Sequence, residues 1–126
     1  MARGQNEFML CCAIADQLWL ALDPSIPWSH FPLGENRSAA TGYRLKRMGT
    51  RAGWPDYLIA HAGTMILLEA KADDGDLTQS QIAMFPLLEI QGFPVHVVRS
   101  LDDLEAVLDS YGVPLRSRVR PRRLPA

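Results

Sequence analysis

Apolar side chains recur at three- and four-residue steps between Glu7 and Leu22 (Phe8, Cys11, Cys12, Ala15, Leu18, Trp19, Leu22). That is the period of a helix with one buried face, and Asn6 stands where an N-cap would. Pro24 and Pro27 end the pattern, and Pro27 to Phe31 fits a short strand. Leu33 to Ser38 is polar and turn-rich. A second helix is expected from Ala39 to Arg47, stopping at Met48-Gly49. The breaker cluster Gly53-Trp54-Pro55-Asp56 leads into apolar Tyr57 to Ala60, a turn at His61 to Thr64, and apolar Met65 to Lys71 that turns polar at its end. This reads as a hairpin. Thr78 to Ile90 has helical character, with Thr78 and Gln81 at capping-box spacing and Gly92 beyond the end. Pro86 inside it predicts a kink near Met84 to Pro86 rather than two helices. Phe93 to Arg99 fits a short buried strand, and Ser100 a cap for a last helix over Leu101 to Ser110. The order α-β-α-β-β-α-β-α places the chain in the α/β class, a mixed sheet flanked by helices.

Length and composition narrow this further. A chain of 126 residues, 48% hydrophobic and 21% charged, suits one domain with one core and excludes collagen-like, coiled-coil and wholly disordered classes. No apolar run approaches the roughly 18–20 residues a bilayer span needs, so no membrane partner is expected. Met1 to Glu7 lacks the basic-then-apolar order of a secretory signal. Cys11 and Cys12 are adjacent, a poor geometry for one disulfide, and a reducing cytosol is the simplest compartment. The net charge of −1 hides an asymmetry. The last eleven residues hold five arginines and no acid, leaving eight basic and fourteen acidic groups for the rest. The expected organisation is a domain over 1–115 and a flexible Arg/Pro-rich tail over 116–126.

The residues that carry chemistry sit at the hairpin. Glu69 and Lys71 are two apart on a strand and so share a face, about 7 Å apart along the backbone. Asp56 begins the preceding strand and can reach Glu69 across it. Two carboxylates ~4 Å apart repel by ~4 kcal/mol at an effective dielectric of 20, which makes a cation between them attractive. Oxygen ligands suit Mg²⁺ or Mn²⁺, and no Cys/His spacing suits zinc. A lysine beside such a metal can orient an attacking water and neutralise charge developing on a phosphate. An isolated Glu-x-Lys is ordinarily a surface ion pair. Here it ends a continuous apolar strand, Asp56 stands one hairpin earlier, and a capped helix with Gln81 follows.

Pro55-Asp56 followed by Glu69-Ala70-Lys71 resembles the Pro-Asp…Glu-x-Lys signature of the restriction-endonuclease-like nuclease superfamily. The resemblance narrows to the VRR-NUC family, the virus-type replication-repair nucleases. It rests on Arg37-Ser38, Leu45 to Asp56, Leu68 to Lys71, Leu77 to Gln81 and Gly92 to Ser100, and covers roughly residues 5 to 114. It implies a restriction-endonuclease-like fold and a metal-dependent DNA endonuclease. Asp56 and Glu69 would ligate Mg²⁺ (or Mn²⁺), with the Ala70 backbone carbonyl as a third ligand and Glu7 at an acidic position that can face the metal. Lys71 would position the water, and Gln81 would support the active site. The family also implies branched DNA, a four-way junction or flap, as substrate, a homodimer, and a cytoplasmic setting in a bacterial cell or phage-infected host.

Arg37, Arg44, Lys46, Arg47 and Arg51 cluster just before the metal-site turn, and beside a phosphodiester site they read as phosphate contacts. The tail arginines can add salt-sensitive affinity. Asp73, Asp74 and Asp76 lack the spacing of a calcium loop. The three histidines and three tryptophans fit structural roles. Three alternatives remain open on sequence: a catalytically silent nucleic-acid-binding module of the same fold, a site-specific duplex endonuclease, and an RNA substrate.

Overall fold

The computed structural model describes residues 3–32 and 37–119, with the first helix's side chains described from Asn6 on. Its elements are α1 (Arg3–Ala21), β1 (Trp28–His30), α2 (Ala39–Arg47), β2 (Tyr57–His61), β3 (Thr64–Ala70), α3 (Gln79–Ile90), β4 (Val95–Val98) and α4 (Leu101–Ser110). Class and element order are those the hydrophobic pattern predicts. The sheet runs β1-β2-β3-β4, antiparallel except for the β3–β4 pair, which α3 connects as a parallel crossover. The β2–β3 turn is formed by Ala62 and Gly63, both at positive φ, which suits a two-residue hairpin turn.

Along β3 the side chains alternate. Ile66, Leu68 and Ala70 join Tyr57, Ile59 and Val98 in the main core, packed under Ile14, Leu18 and Leu22 and under Leu104 and Leu108 of α4. Leu67 and Glu69 point the other way, where α3 supplies buried Met84 and Phe85. Ser38, Thr78 and Ser100 cap α2, α3 and α4, each accepting from the backbone N–H three residues on.

The first helix departs from expectation. It starts at Arg3, so Asn6 lies inside it and not at its cap. Its buried stripe is Ile14, Leu18, Ala21 and Leu22, whereas Phe8 (67% exposed) and Trp19 (70%) face outward. Apolar residues occupy both sides of this helix, so the period identifies a helix without setting which side is inward. Cys11 is half-buried and Cys12 exposed. α3 runs as one helix through Pro86, whose ring lies on the exposed side. At the basic end, the Arg116 N–H and guanidinium donate to the carbonyls of Ala21 and Leu22 at the end of α1. Arg118 pairs with Glu105 at 3.0 Å and with Asp109 at 3.1 Å. The loop 33–36 and the end of the expected tail, 120–126, lie outside the described residues. None of the described helices is long and apolar enough to cross a membrane.

Gly53 decides how the loop before β2 meets α3. Its φ is +96°, and a Cβ added there would sit 2.4 Å from the Ser80 carbonyl oxygen. Gly49 has a similar φ of +98° but open space around it. Gly49→Ala should therefore cost about 1–2 kcal/mol, the backbone strain alone. Gly53→Ala adds a backbone clash and should cost about 2–4 kcal/mol. Urea unfolding of both variants checks this, and equal losses would show that the Gly53 loop does not press on α3.

Candidate metal centre

Strand register builds the site. Tyr57 pairs with Leu68, so Asp56, one residue before β2, arrives opposite Glu69 on β3. Each of these carboxylates takes a backbone N–H from the other strand. The Asp56 N–H donates to Glu69 Oε1 at 3.2 Å, and the Ala70 N–H donates to Asp56 Oδ2 at 2.9 Å. The second Glu69 oxygen, Oε2, accepts from Gln81 Nε2 at 2.8 Å and lies 3.3 Å from Lys71 Nζ. Lys71 follows the last residue of β3, yet its N–H donates to the Val98 carbonyl, which keeps it aligned with the strand. Among the described residues, the buried polar or charged side chains are Glu69, Lys71 and Gln81, and all three meet here. Glu69 is 1% exposed.

Gln81 is committed at both ends of its amide. Its Oε1 accepts the Thr78 N–H at 2.9 Å, and its backbone N–H donates to Thr78 Oγ1, closing the capping box. With the oxygen engaged there, the NH₂ is the end that faces Glu69, so Gln81 presents a donor and favours an ionised carboxylate. Glu7 joins from α1, its Oε1 3.9 Å from Lys71 Nζ. The Tyr57 hydroxyl donates to the Cys11 carbonyl at 3.1 Å, which fixes α1 against β2 one turn beyond Glu7. No spacing rule points to that contact, and sequence reasoning missed it. Burial pushes the Tyr57 hydroxyl up from its ordinary range and the Cys11 thiol up to about 11, so both stay protonated.

Glu7, Asp56 and Glu69 each offer a carboxylate oxygen, and these three atoms lie within 4.8 Å of one another. At such separations each pair of ionised carboxylates repels by about 3–4 kcal/mol at an effective dielectric of 20. Burial first and the Asp56 charge second push Glu69 up to about 7, against the opposing pull of Lys71 and Gln81. Among the described residues, Lys71 is the cation paired with Glu7 and Glu69, which leaves three ionised carboxylates two charges in excess. A hard dication with oxygen ligands fits both the donor set and that excess.

The structure thus brings together five residues singled out from sequence: Asp56, Glu69, Lys71, Gln81 and Glu7. Ala70 lies between Glu69 and Lys71 and contributes its amide to Asp56. Of the basic residues, Arg37, Lys46 and Arg51 line a cleft of about 580 Å³ beside α2. Arg44 and Arg47 are exposed but do not line it. One Arg37 nitrogen donates to the Pro32 carbonyl at 2.7 Å. The segment after the cleft, Gly53 to Pro55, leads directly to Asp56.

Glu69 gives the site a pH signature. Its folded pKa is raised above the ordinary 4.5, so between about pH 4.5 and 7 the folded chain binds more protons than the unfolded one. In metal-free buffer its contribution to stability is complete below that window and falls as pH rises through it. Melting curves from pH 4.5 to 8 in chelator should show this decline, and Glu69→Gln should flatten it. An unchanged decline in that variant would assign the effect to other groups.

No family model and no curated protein matches the chain. A solved structure described as "VRR_NUC domain protein" is similar to it, with 28% sequence identity and a TM-score of 0.47. The match covers 61% of this chain and 64% of that one, so it spans less than two thirds of that protein's length.

Proposed function

We propose that this domain is a divalent-metal-dependent endonuclease that hydrolyses DNA phosphodiester bonds. The observation that carries the reading is the convergence of three carboxylates on one point with the buried Lys71 ammonium on the shared Glu69 oxygen. Asp56 and Glu69, with the Ala70 carbonyl and Glu7, would hold Mg²⁺ or Mn²⁺. Bound there, such an ion supplies Lewis-acid stabilisation of charge developing on the phosphate and lowers the pKa of water. The rest is work for the chain's own residues. Lys71 orients the attacking water and offsets negative charge at the reacting phosphate. Gln81 holds Glu69 ionised and aimed, because its amide cannot turn without breaking the helix cap. The backbone donors at Asp56 and Ala70 keep the two acids in register across the hairpin. Arg37, Lys46 and Arg51 give the phosphate backbone a cationic cleft upstream of the acids, and Arg44 and Arg47 extend the positive surface. On the family resemblance, the substrate is branched DNA and the enzyme a homodimer whose twofold puts two sites on two strands.

Cleavage of four-way junction, flap, linear duplex and RNA with Mg²⁺, Mn²⁺ or chelator tests this. Cutting should require the metal and favour the branched DNAs. Asp56→Asn and Lys71→Ala should each lower the rate by about 10²-fold or more, with junction binding in Ca²⁺ changed only a few-fold. Binding without cutting by the wild type would leave the silent module, and a defined cut in linear duplex would displace the branched substrate. Lys46→Ala and Arg51→Ala should each weaken binding evenly across sequences and reduce the salt slope of log K by about 0.9. Unchanged slopes would remove the cleft from the DNA path.

A further inference from the structure

We propose that Arg99 is a positioning residue for Lys71: its guanidinium clips the loop that folds back on the Lys71 stem, and so holds the ammonium beside Glu69. What Lys71 then does rests on the nuclease reading above; the clip itself does not. The loop from β3 to α3 begins at Lys71. The Gly75 N–H donates to the Ala72 carbonyl at 2.7 Å, which turns the chain back on itself. Gly75 is buried, and a Cβ added there would lie 3.7 Å from both Cβ and Cδ of Lys71. The turn therefore lies along the stem of a lysine that is only 6% exposed.

The turn needs an outside restraint. Asp73, within it, has a φ of +38°, a left-handed conformation that a residue with a side chain adopts at a cost. Toward α1, a cavity of about 280 Å³ lined by Asn6, Met9, Leu10, Ala72, Asp73 and Arg99 leaves the loop room to swing. Arg99 supplies the restraint, because its guanidinium donates to the Asp73 carbonyl at 2.8 Å. A charged donor of this kind makes one of the stronger hydrogen bonds. Arg99 is itself fixed at the corner between β4 and α4. Its N–H donates to Asp103 Oδ2 at 2.9 Å, and the Asp103 N–H donates to the capping Ser100 Oγ at 3.1 Å. The residue before it, Val98, accepts the Lys71 N–H at 3.1 Å. One corner thus grips the segment twice, at the Lys71 backbone and two residues farther on. Lys71 Nζ lies 3.3 Å from Glu69 Oε2 at the end of a flexible four-carbon stem, so its place depends on what confines that stem.

Arg99→Met keeps the aliphatic stem and the backbone N–H and removes the guanidinium donors. On a four-way junction with Mn²⁺, kcat should fall about 10-fold while KM, and junction binding in Ca²⁺, stay within about 2-fold. In a Lys71→Ala background the same change should cost less than about 2-fold more, since the group it positions is gone. Hydrogen exchange of the metal-free chain gives a readout that needs no cleavage. The Gly75 amide should exchange at least about 10-fold faster in Arg99→Met, with the β3 amides unchanged. Three results would overturn the assignment: a full further loss in the Lys71→Ala background, unchanged Gly75 exchange, or weakened junction binding with a smaller salt slope. The last would make Arg99 a phosphate contact. A wild type that never cuts, with Gly75 exchange still raised in Arg99→Met, would sink only the nuclease reading.

Discussion

The burial of one carboxylate, Glu69, organises the structure around it. Taking a charge of this kind out of water costs several kcal/mol even after relaxation, and the cost is recovered only by well-placed donors. Glu69 has three: the Asp56 N–H on one oxygen, and Gln81 and Lys71 on the other. Each donor comes from a different part of the chain. Asp56 requires the hairpin register, Lys71 requires the parallel pairing of β3 with β4, and Gln81 requires α3 to be capped at Thr78. A single side chain therefore tests whether four elements are assembled correctly. The neighbouring Asp56 works against this economy, since its charge pushes Glu69 toward protonation. Acids held this close are a net electrostatic cost that the remaining core must offset, an arrangement typical of sites kept for function rather than stability.

Much of this was legible in the sequence for specific reasons. α2 and α4 are bounded as expected because each has a serine cap and a glycine or proline close beyond its end. The hairpin was legible because two apolar runs flank Ala62-Gly63, and its register then puts Asp56 opposite Glu69 without further information. The capping box predicts that Gln81 starts a helix, and the same spacing also places its amide where Glu69 can reach it. What escaped is what depends on the third dimension. The phase of α1 could not be read from period alone, because Phe8, Trp19 and Leu20 give its outer side as much apolar character as Ile14 and Leu18 give the inner one. The Tyr57 hydroxyl's bond to the Cys11 carbonyl joins residues 46 apart, and no local pattern encodes it. The anchoring of Arg116 on the end of α1 was hidden for the same reason. A basic, proline-rich segment reads as a tail until the helix C-terminal carbonyls that hold it are seen.

Pro86 shows how a local rule can be right about cost and incomplete about consequence. A proline in a helix interior leaves the carbonyl four residues earlier without its usual donor and weakens the turn. The rule leads one to expect that Gln81, on the turn before, loses its aim. It does not, because Gln81 is held from its own N-terminal side by Thr78 and from the front by Glu69. Both restraints lie upstream of the missing bond. The proline ring instead sits on the outer side of the helix, among side chains that the domain itself leaves uncovered.

The layout also separates two electrostatic tasks that would interfere if merged. The acidic cluster concentrates negative charge at one point, and a phosphate backbone would be repelled from it unaided. Arg37, Lys46 and Arg51 lie in a cleft whose lining ends at Ala52, and Gly53 to Pro55 alone separates that lining from Asp56 in the chain. Gly53 presses this linker against the first turn of α3 with no room for a side chain, so cleft and acids are tied to the same helix. Flexible lysines scattered on the surface could attract DNA as well, but they would not fix its path relative to the acids. On the nuclease reading proposed above, a pinned linker would let binding free energy gained in the cleft place one phosphate at the cluster, which is how contacts remote from a reacting bond raise a rate and not merely an affinity.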